Sequence, residues 1–389
     1  MTKKWSSRLT FFAFVVLMVG LGSNDSLRGI FSTIFQEHFS LTTTQLGLIV
    51  TASYIGNLVF LLVGGNLSTR FSKKRVLQVL ILIWMAALAL FTFTSNYTVL
   101  LIGMALALGS STLLNTTMNL ITPLLFATAP GFFVNFLFFT QEIGTSGSQY
   151  ILGSHADGFA FWQHTNLVLL ILGAVAFVLL LFCNVPEEAA APADAPAQKG
   201  GYDWRIIVPY VLVFGFYFIA EHGVMNWMVA YGVDGLGLPQ GSAAKYLSVF
   251  FGGMMIGRLC LSPLVDKLGA LKSLAAFGGV SCVLYLIGSL GGAVTMPVWA
   301  ISGLSFSILY PTLVMSIRLY FPAQQVSGAA GTILSIASLA DILFNVGFGK
   351  LVDMTGYAVS IRVLPLSALA FFIVFMLFTK FCKPTQKLK

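Results

Sequence analysis

Apolar residues run along this chain in long stretches separated by short polar or basic breaks. A helix that crosses the hydrocarbon of a bilayer needs about 20 mostly apolar residues. The stretches reach that length twelve times: roughly 9–35, 45–66, 75–95, 97–125, 130–153, 163–184, 204–232, 241–265, 271–291, 295–319, 326–352 and 358–381. Several are rich in Gly, Ser, Thr and Asn, the composition of helices that pack closely and line a cavity. The first stretch has a basic start (Lys3, Lys4, Arg8) like a signal peptide. It lacks a convincing small-residue cleavage site and eleven more spans follow, so it reads as the first membrane helix. The pattern predicts an all-α membrane protein with twelve transmembrane helices.

Composition narrows this further. Of 389 residues, 57% are hydrophobic and 9% charged, where a soluble domain carries about 45–50% and roughly 25%. So few charges cannot cover a water-facing surface, and so apolar a chain is not disordered. The solvent for most of it is the lipid bilayer. The net charge of +8 would suggest nucleic acid in a soluble protein. Here the basic residues sit between apolar runs, which speaks for topology and against a nucleic-acid partner. With the N-terminus in the cytoplasm, Arg70, Lys73, Lys74 and Arg75, then Lys199 and Arg205, then Lys267 and Lys272, and the basic tail all fall inside. The expectation is a multi-pass protein of a bacterial inner (plasma) membrane with both termini cytoplasmic. Cys183, Cys260, Cys282 and Cys382 are far apart and lack zinc or redox spacing.

The one long polar stretch, Val185–Gly201, is rich in Ala and Pro and reads as a semi-rigid tether. It divides the chain into an N-terminal six-helix bundle (1–184), a cytoplasmic linker (185–203) and a C-terminal six-helix bundle (204–389). The halves are related. Arg70 and Lys267 follow spans 2 and 8 at an offset of 197. Similar offsets take Asp25 to Glu221, Asn115 to Thr312, Asp157 to Asp353 and Glu142 close to Asp341. In a chain so poor in charge, that agreement predicts a duplicated six-helix unit, a device of transporters.

At this point the chain resembles the major facilitator superfamily over its whole length. The loop after span 2 carries Gly65, Thr69, Arg70, Ser72, Lys73 and Lys74 in the pattern G-x-x-x-D-R-x-G-R-K, with Thr69 for the Asp and Ser72 for the Gly. The second-half copy keeps Asp266, Lys267, Gly269 and Lys272. A narrower resemblance is to the fucose–galactose–proton symporters. It rests on Gly22–Asp25, Asn115–Asn119, Phe139–Gln141, Glu221–Trp227, Gly253–Arg258 and Ser307–Thr312. Asn115 stands where that family often has a Glu implicated in sugar coupling. The resemblance implies two pseudo-symmetric bundles, a central cavity opening alternately to each side, and no cofactor. It implies gating roles for Arg70, Asp266, Lys267 and Arg258, and a monomer.

Ionisable residues within a span are costly and are functional candidates by default. Asp25 is the first candidate for proton coupling, against a purely structural pair with Arg28 three residues on. Glu142 is the second. Arg28 can hold a carboxylate, sulfate or phosphate through two parallel hydrogen bonds, or balance Asp25 or Glu142. Asn24, Asn115, Asn119, Gln141, Asn226 and Tyr310 supply hydrogen bonds to a solute or between helices. Glu221 can bind solute hydroxyls with Trp227 stacking on a sugar face; His222, next to Glu221, points about 100° away. Asp341 joins the substrate-binding set.

No Walker loop, HExxH, CxxC or hydrolase elbow is present. No catalytic residue, metal site or ATP-driven step is expected. The reading is a secondary active transporter that takes up a small polar solute together with a coupling ion, H⁺, by alternating access. A sugar or an acidic sugar derivative is the expected solute. The alternatives are proton-antiporting efflux of lipophilic or cationic compounds, for which the 35 Phe suit a greasy cavity, an organic-anion carrier centred on Arg28, and a receptor with a transporter fold.

Overall fold

The computed structural model describes residues 3–126, 130–186 and 203–384; for 3–6, 63–70, 130–132, 135, 266, 323, 324 and 327 it describes the backbone alone. All but the first two residues and the last of the expected 185–203 linker lie outside the described residues, as do the side chains of Arg70 and Asp266. The chain divides into two compact units, Met1–Ala195 and Pro196–Lys389.

The first unit contains α1 (Lys3–Ile30), α2 (Ser32–Phe39), α3 (Thr43–Arg70), α4 (Lys73–Phe93), α5 (Tyr97–Leu125), α6 (Pro130–His155) and α7 (Phe159–Phe182). The second contains α8 (Trp204–Ala230), which runs on into a wider turn over Tyr231–Gly235, then α9 (Gln240–Leu268) and α10 (Ala270–Leu290). It continues through α11 (Met296–Ile301), α12 (Gly303–Phe306), α13 (Leu309–Ser316), α14 (Ala323–Thr355), α15 (Tyr357–Ser360) and α16 (Val363–Phe381). Among the described residues, eleven helical stretches are long and apolar enough to cross a membrane. α6 has the length, but Gln141, Glu142, Thr145, Ser146, Ser148 and Gln149 interrupt its apolar run.

Two expected spans are not continuous helices. The first bends at Phe31, which leaves helical geometry between α1 and α2. The tenth, expected as one helix over 295–319, is three short helices. Two local causes act there. Ser302, Ser305 and Ser307 return their hydroxyls to the carbonyls of Trp299, Ser302 and Leu304 at 2.5, 2.9 and 2.7 Å, which competes with regular helix bonding. Pro311 has no N–H to give the Ser307 carbonyl and its ring crowds it, at the break between α12 and α13.

Lipid tails are as apolar as leucine, so helices in a bilayer gain little from burying apolar faces together and associate through close packing. Here the closest approaches are made at glycines. A Cβ on Gly22 of α1 would meet the Gln141 carbonyl of α6, and one on Gly144 of α6 would meet the Val19 carbonyl of α1. In the same way Gly56 of α3 lies against the Ala105 carbonyl of α5, and Gly303 of α12 against the Phe250 carbonyl of α9. Aromatic rings fill the remaining interior. Phe31, Phe35 and Phe91 surround Trp162 at 5.3, 4.8 and 5.2 Å between centroids. In the second unit Tyr217, Tyr285 and Phe306 stack, with Tyr217 and Tyr285 each 5.1 Å from Phe306.

The first turn of α4 shows one structural duty. Lys74 Nζ donates to the carbonyls of Leu181 and Cys183 at 3.0 and 2.7 Å. Its ammonium thus caps the C-terminus of α7, where a positive charge suits the helix dipole. Lys267 is exposed in the last turn of α9.

These contacts set an expectation for thermal unfolding in a fixed detergent. Gly144→Val should lower stability by about 3 kcal/mol, because backbone rather than a flexible side chain blocks the new carbons. Gly147→Ala, whose Cβ meets nothing within 4 Å, should hold or raise the midpoint, since Ala in a helix interior gains roughly 0.5–1 kcal/mol over Gly.

Candidate functional site

In the first unit the α1–α6 contact brings polar groups together. Ser23 Oγ donates to the Gly144 carbonyl at 3.3 Å, and Thr145 Oγ1 to the Gly22 carbonyl at 3.2 Å. One turn further along α1 comes Asp25, half-buried. Ser111 of α5 donates its hydroxyl to the carboxylate, lying 3.2 and 3.3 Å from the two oxygens, and Asn24 Nδ2 lies 3.4 Å from Oδ1. A strong hydroxyl–carboxylate bond is about 2.5–2.7 Å. Asp25 is therefore positioned by neutral donors without being tightly held. Arg28 lies within electrostatic reach of it. Arg28 is 5% exposed, and its guanidinium carbon sits 5.6 Å from the centroid of the Tyr54 ring on α3.

Ser111, Asn115 and Asn119 are spaced by four residues and form one stripe along α5. Ser111 reaches α1, and Asn115 reaches α6. Asn119 Nδ2 donates to Asn115 Oδ1 at 2.6 Å, and Asn115 Nδ2 donates to Gln141 Oε1 at 2.6 Å. The chain of amides has a direction. The Gln141 amide nitrogen remains as a donor at one end. At the other end Asn119 Oδ1 has no donor among the described residues. Glu142 follows Gln141 on α6 and is half-buried.

In the second unit α8 and α14 are joined by two polar rungs. His222 Nδ1 lies 2.7 Å from Asp341 Oδ2. Trp227 Nε1 donates to Asn345 Oδ1 at 2.9 Å, and Asn345 Nδ2 returns to the Asp341 carbonyl at 2.8 Å. On the neighbouring side of α8, Glu221 lies within electrostatic reach of Tyr217, Tyr285 and Tyr310, and Arg258 of α9 within reach of Tyr217 and Tyr310. The Tyr217 and Tyr310 rings stack at 6.0 Å.

The sequence-derived residues thus fall into sets. Asn24, Asp25 and Arg28 come together on α1. Asn115, Asn119 and Gln141 form the amide chain. Glu221, Arg258 and Tyr310 surround one patch of the second unit. Two expectations change. Trp227 is fully buried, packed on Phe348 at 4.8 Å with its N–H taken by Asn345, so it offers no face to a sugar. Asp341 is 2% exposed and belongs with His222. Asn226 is buried as well, at 2% exposure. Ser111, Tyr54 and Tyr217 were not singled out from sequence; only the four-residue spacing of Ser111 from Asn115 pointed to it.

Residues 10–340 match the Major Facilitator Superfamily. The chain belongs to that superfamily. This facilitator is 24% identical to the L-fucose-proton symporter of Escherichia coli (strain K12) over 333 residues, 74% of this chain and 75% of that protein. It is 27% identical to the glucose/galactose transporter of Brucella abortus biovar 1 (strain 9-941) over 344 residues, 82% of this chain and 81% of that protein. The crystal structure of a D-xylose-proton symporter superposes with a TM-score of 0.77 at 15% identity, covering 98% of each chain. The fold is the twelve-helix facilitator fold, and the chain is a multi-pass integral membrane transporter.

The Trp227–Asn345 rung carries a stability prediction. Trp227→Phe strands a buried acceptor and should cost about 1–3 kcal/mol. Asn345→Leu should also destabilise. The double substitution should cost less than the two singles added, since the second change removes the stranded partner. Thermal melts of the three variants and the parent measure this.

Proposed function

We propose that this facilitator is a proton-coupled symporter that takes up a small polar solute, a sugar or an acidic sugar derivative, by alternating access. The observation that carries the reading is the α5 stripe. One residue of it, Ser111, holds Asp25, and the next two hold the amide chain to Gln141. A proton site and a hydrogen-bonding site thus lie on successive turns of one helix. The amide chain ends in a donor, Gln141 Nε2, on one side and an acceptor, Asn119 Oδ1, on the other, the two kinds of group that sugar hydroxyls bond to. The names of the relatives, a fucose–proton symporter and a glucose/galactose transporter, agree with this solute class.

Asp25 carries the proton in this scheme, and Glu142 is the alternate acceptor for that same proton. An unpaired buried charge is costly, so the binding region closes around the solute once the carboxylate is neutral. Asn24, Asn115, Asn119 and Gln141 are the candidate solute-binding residues of the first unit, and Glu221 and Tyr310 those of the second. Arg28 balances Asp25 while that residue is ionised. A solute carboxylate would pair with the Arg28 guanidinium through two parallel hydrogen bonds, which extends the range to sugar acids. Lys267, Asp266, Arg70 and Arg258 serve the conformational change. The protein works as a monomer in a bacterial inner membrane with both termini cytoplasmic, and it catalyses no covalent step.

Proteoliposomes test the scheme. With the interior alkaline, one of D-galactose, L-fucose, D-xylose or D-glucuronate should accumulate and carry protons inward. Asp25→Asn should reduce gradient-driven accumulation to that of protein-free vesicles. It should still exchange internal for external solute, because exchange needs no deprotonation. An Asp25→Asn protein that accumulates solute with the parent's pH dependence would refute the assignment.

A further inference from the structure

α3 and α4 follow each other in the chain, yet they scarcely meet. Both pack along α5 instead. The space left between them is a groove of about 550 Å³, a volume within the range of ligand sites. Val59 of α3 and Val79 and Ile83 of α4 form its walls, and Leu113 of α5 forms its floor. Val59 and Val79 are each half-exposed, so the groove opens at the surface of the unit. On a chain immersed in a bilayer, an open apolar groove is filled by hydrocarbon.

The length of the groove matches one leaflet. Phe71 and Arg75 stand at its mouth, beside the first turn of α4, and Ile83 lies at the middle of that 21-residue helix. From Arg75 to Ile83 is about 12 Å along the axis. The whole of α4 is about 30 Å long, the thickness of the hydrocarbon. The groove therefore runs from the membrane surface to the midplane. A membrane helix of a partner or of a second copy would need it to continue across the bilayer, whereas a single acyl chain ends at that depth.

Charge selects the headgroup. Arg70, Lys73, Lys74 and Arg75 lie within six residues of sequence, and no Asp or Glu occurs between Glu37 and Glu142. α3, α4 and α5 thus bring four bases and no acid. The related loop of the second unit has Asp266 beside Lys267 and Lys272, where the first has Thr69. Lys73 is buried, and Lys74 is committed to the carbonyls at the end of α7. Arg75 is exposed at the mouth of the groove. A guanidinium binds a phosphate through two parallel hydrogen bonds, and basic clusters flanking membrane helices draw anionic headgroups. A zwitterionic headgroup would bring a further cation to four already there. We infer that the α3–α4 groove is a binding site for an anionic phospholipid, with one acyl chain between the helices and the phosphodiester on Arg75. The lipid bridges two helices that are otherwise joined through α5, and it supplies the negative charge that Thr69 does not. The inference does not rest on the symport reading above.

Native mass spectrometry of the full-length protein in detergent decides the matter. The protein is titrated with dioleoylphosphatidylglycerol and, separately, with dioleoylphosphatidylcholine. The parent should hold its first phosphatidylglycerol about fivefold more tightly than its first phosphatidylcholine, the gain expected of one base at a membrane surface. Arg75→Gln should abolish that preference. Val79→Trp, which fills the groove and keeps the cation, should weaken phosphatidylglycerol binding by a similar factor. Both positions are exposed, so both variants should melt with the parent in lipid-free detergent. Lys272→Gln, at the equivalent turn of α10, should bind as the parent does. Equal binding of the two lipids by the parent, or a preference that survives Arg75→Gln, overturns the inference. Unchanged binding by Val79→Trp overturns it too, since the acyl chain then lies elsewhere. If glycerol 1-phosphate alone displaces the lipid, the site takes a free phosphate and the groove assignment fails. Should Val79→Trp not purify, Ile83→Phe, which narrows the same groove at its inner end, takes its place under the same criteria.

Discussion

Each unit of this transporter depends on helix backbones that touch. In water, two helices are driven together by the apolar area they remove from solvent. In lipid that drive is absent, and what remains is shape and polar contact. Gly22 and Gly144 let α1 and α6 approach until carbonyls stand where a Cβ would be. That distance then lets Ser23 and Thr145 reach across to backbone carbonyls of the opposite helix. The position of Asp25 follows. It lies one turn beyond this contact, on a segment of α1 whose rotation and height are fixed by it. A substitution that moved α1 outward would carry the carboxylate away from Ser111 long before it unfolded the bundle.

The same closeness decides which polar groups are tolerated. An apolar interior penalises a lone charge more than a lone amide. The ionisable residues here are accordingly placed beside partners of a kind that does not remove their chemistry. Asp25 has a hydroxyl, an amide and a nearby cation. Asp341 has an imidazole. A hydroxyl, an amide or an imidazole gives a buried carboxylate the hydrogen bonds it needs where water is excluded.

Much of this was legible in the sequence, for a physical reason. A bilayer demands long apolar runs, so the spans are written plainly, and any Asp, Glu or Arg inside a run is conspicuous. Asp25, Arg28, Glu221 and Asp341 were found that way. The partners were harder. Ser111 is one serine among many, and nothing but its four-residue spacing from Asn115 sets it apart. The link between His222 and Asp341 requires the relative register of α8 and α14, which one sequence does not encode locally. Trp227 misled because an aromatic beside polar residues fits a sugar site and a helix contact equally well; the indole N–H found its acceptor on α14. The broken tenth span was also hidden, since its apolar content is that of a continuous helix and only the serines and Pro311 disturb it.

The two halves show what a duplicated scaffold permits. Gly56 and Gly253 are related by the same shift that relates Arg70 to Lys267. In each unit the glycine's helix, α3 or α9, packs against the element two spans on, α5 or α12. Both copies thus have a glycine where a side chain would press on the backbone of the facing helix, hard at Gly56 and more gently at Gly253. The polar residues were under no such constraint and diverged. The first copy has a carboxylate beside a stripe of hydroxyl and amide groups. The second has a carboxylate beside an imidazole, and a separate patch of Glu, Arg and Tyr. Backbone contact fixes where a side chain can stand, and the partner it meets there decides whether it holds a solute, a proton or a neighbouring helix.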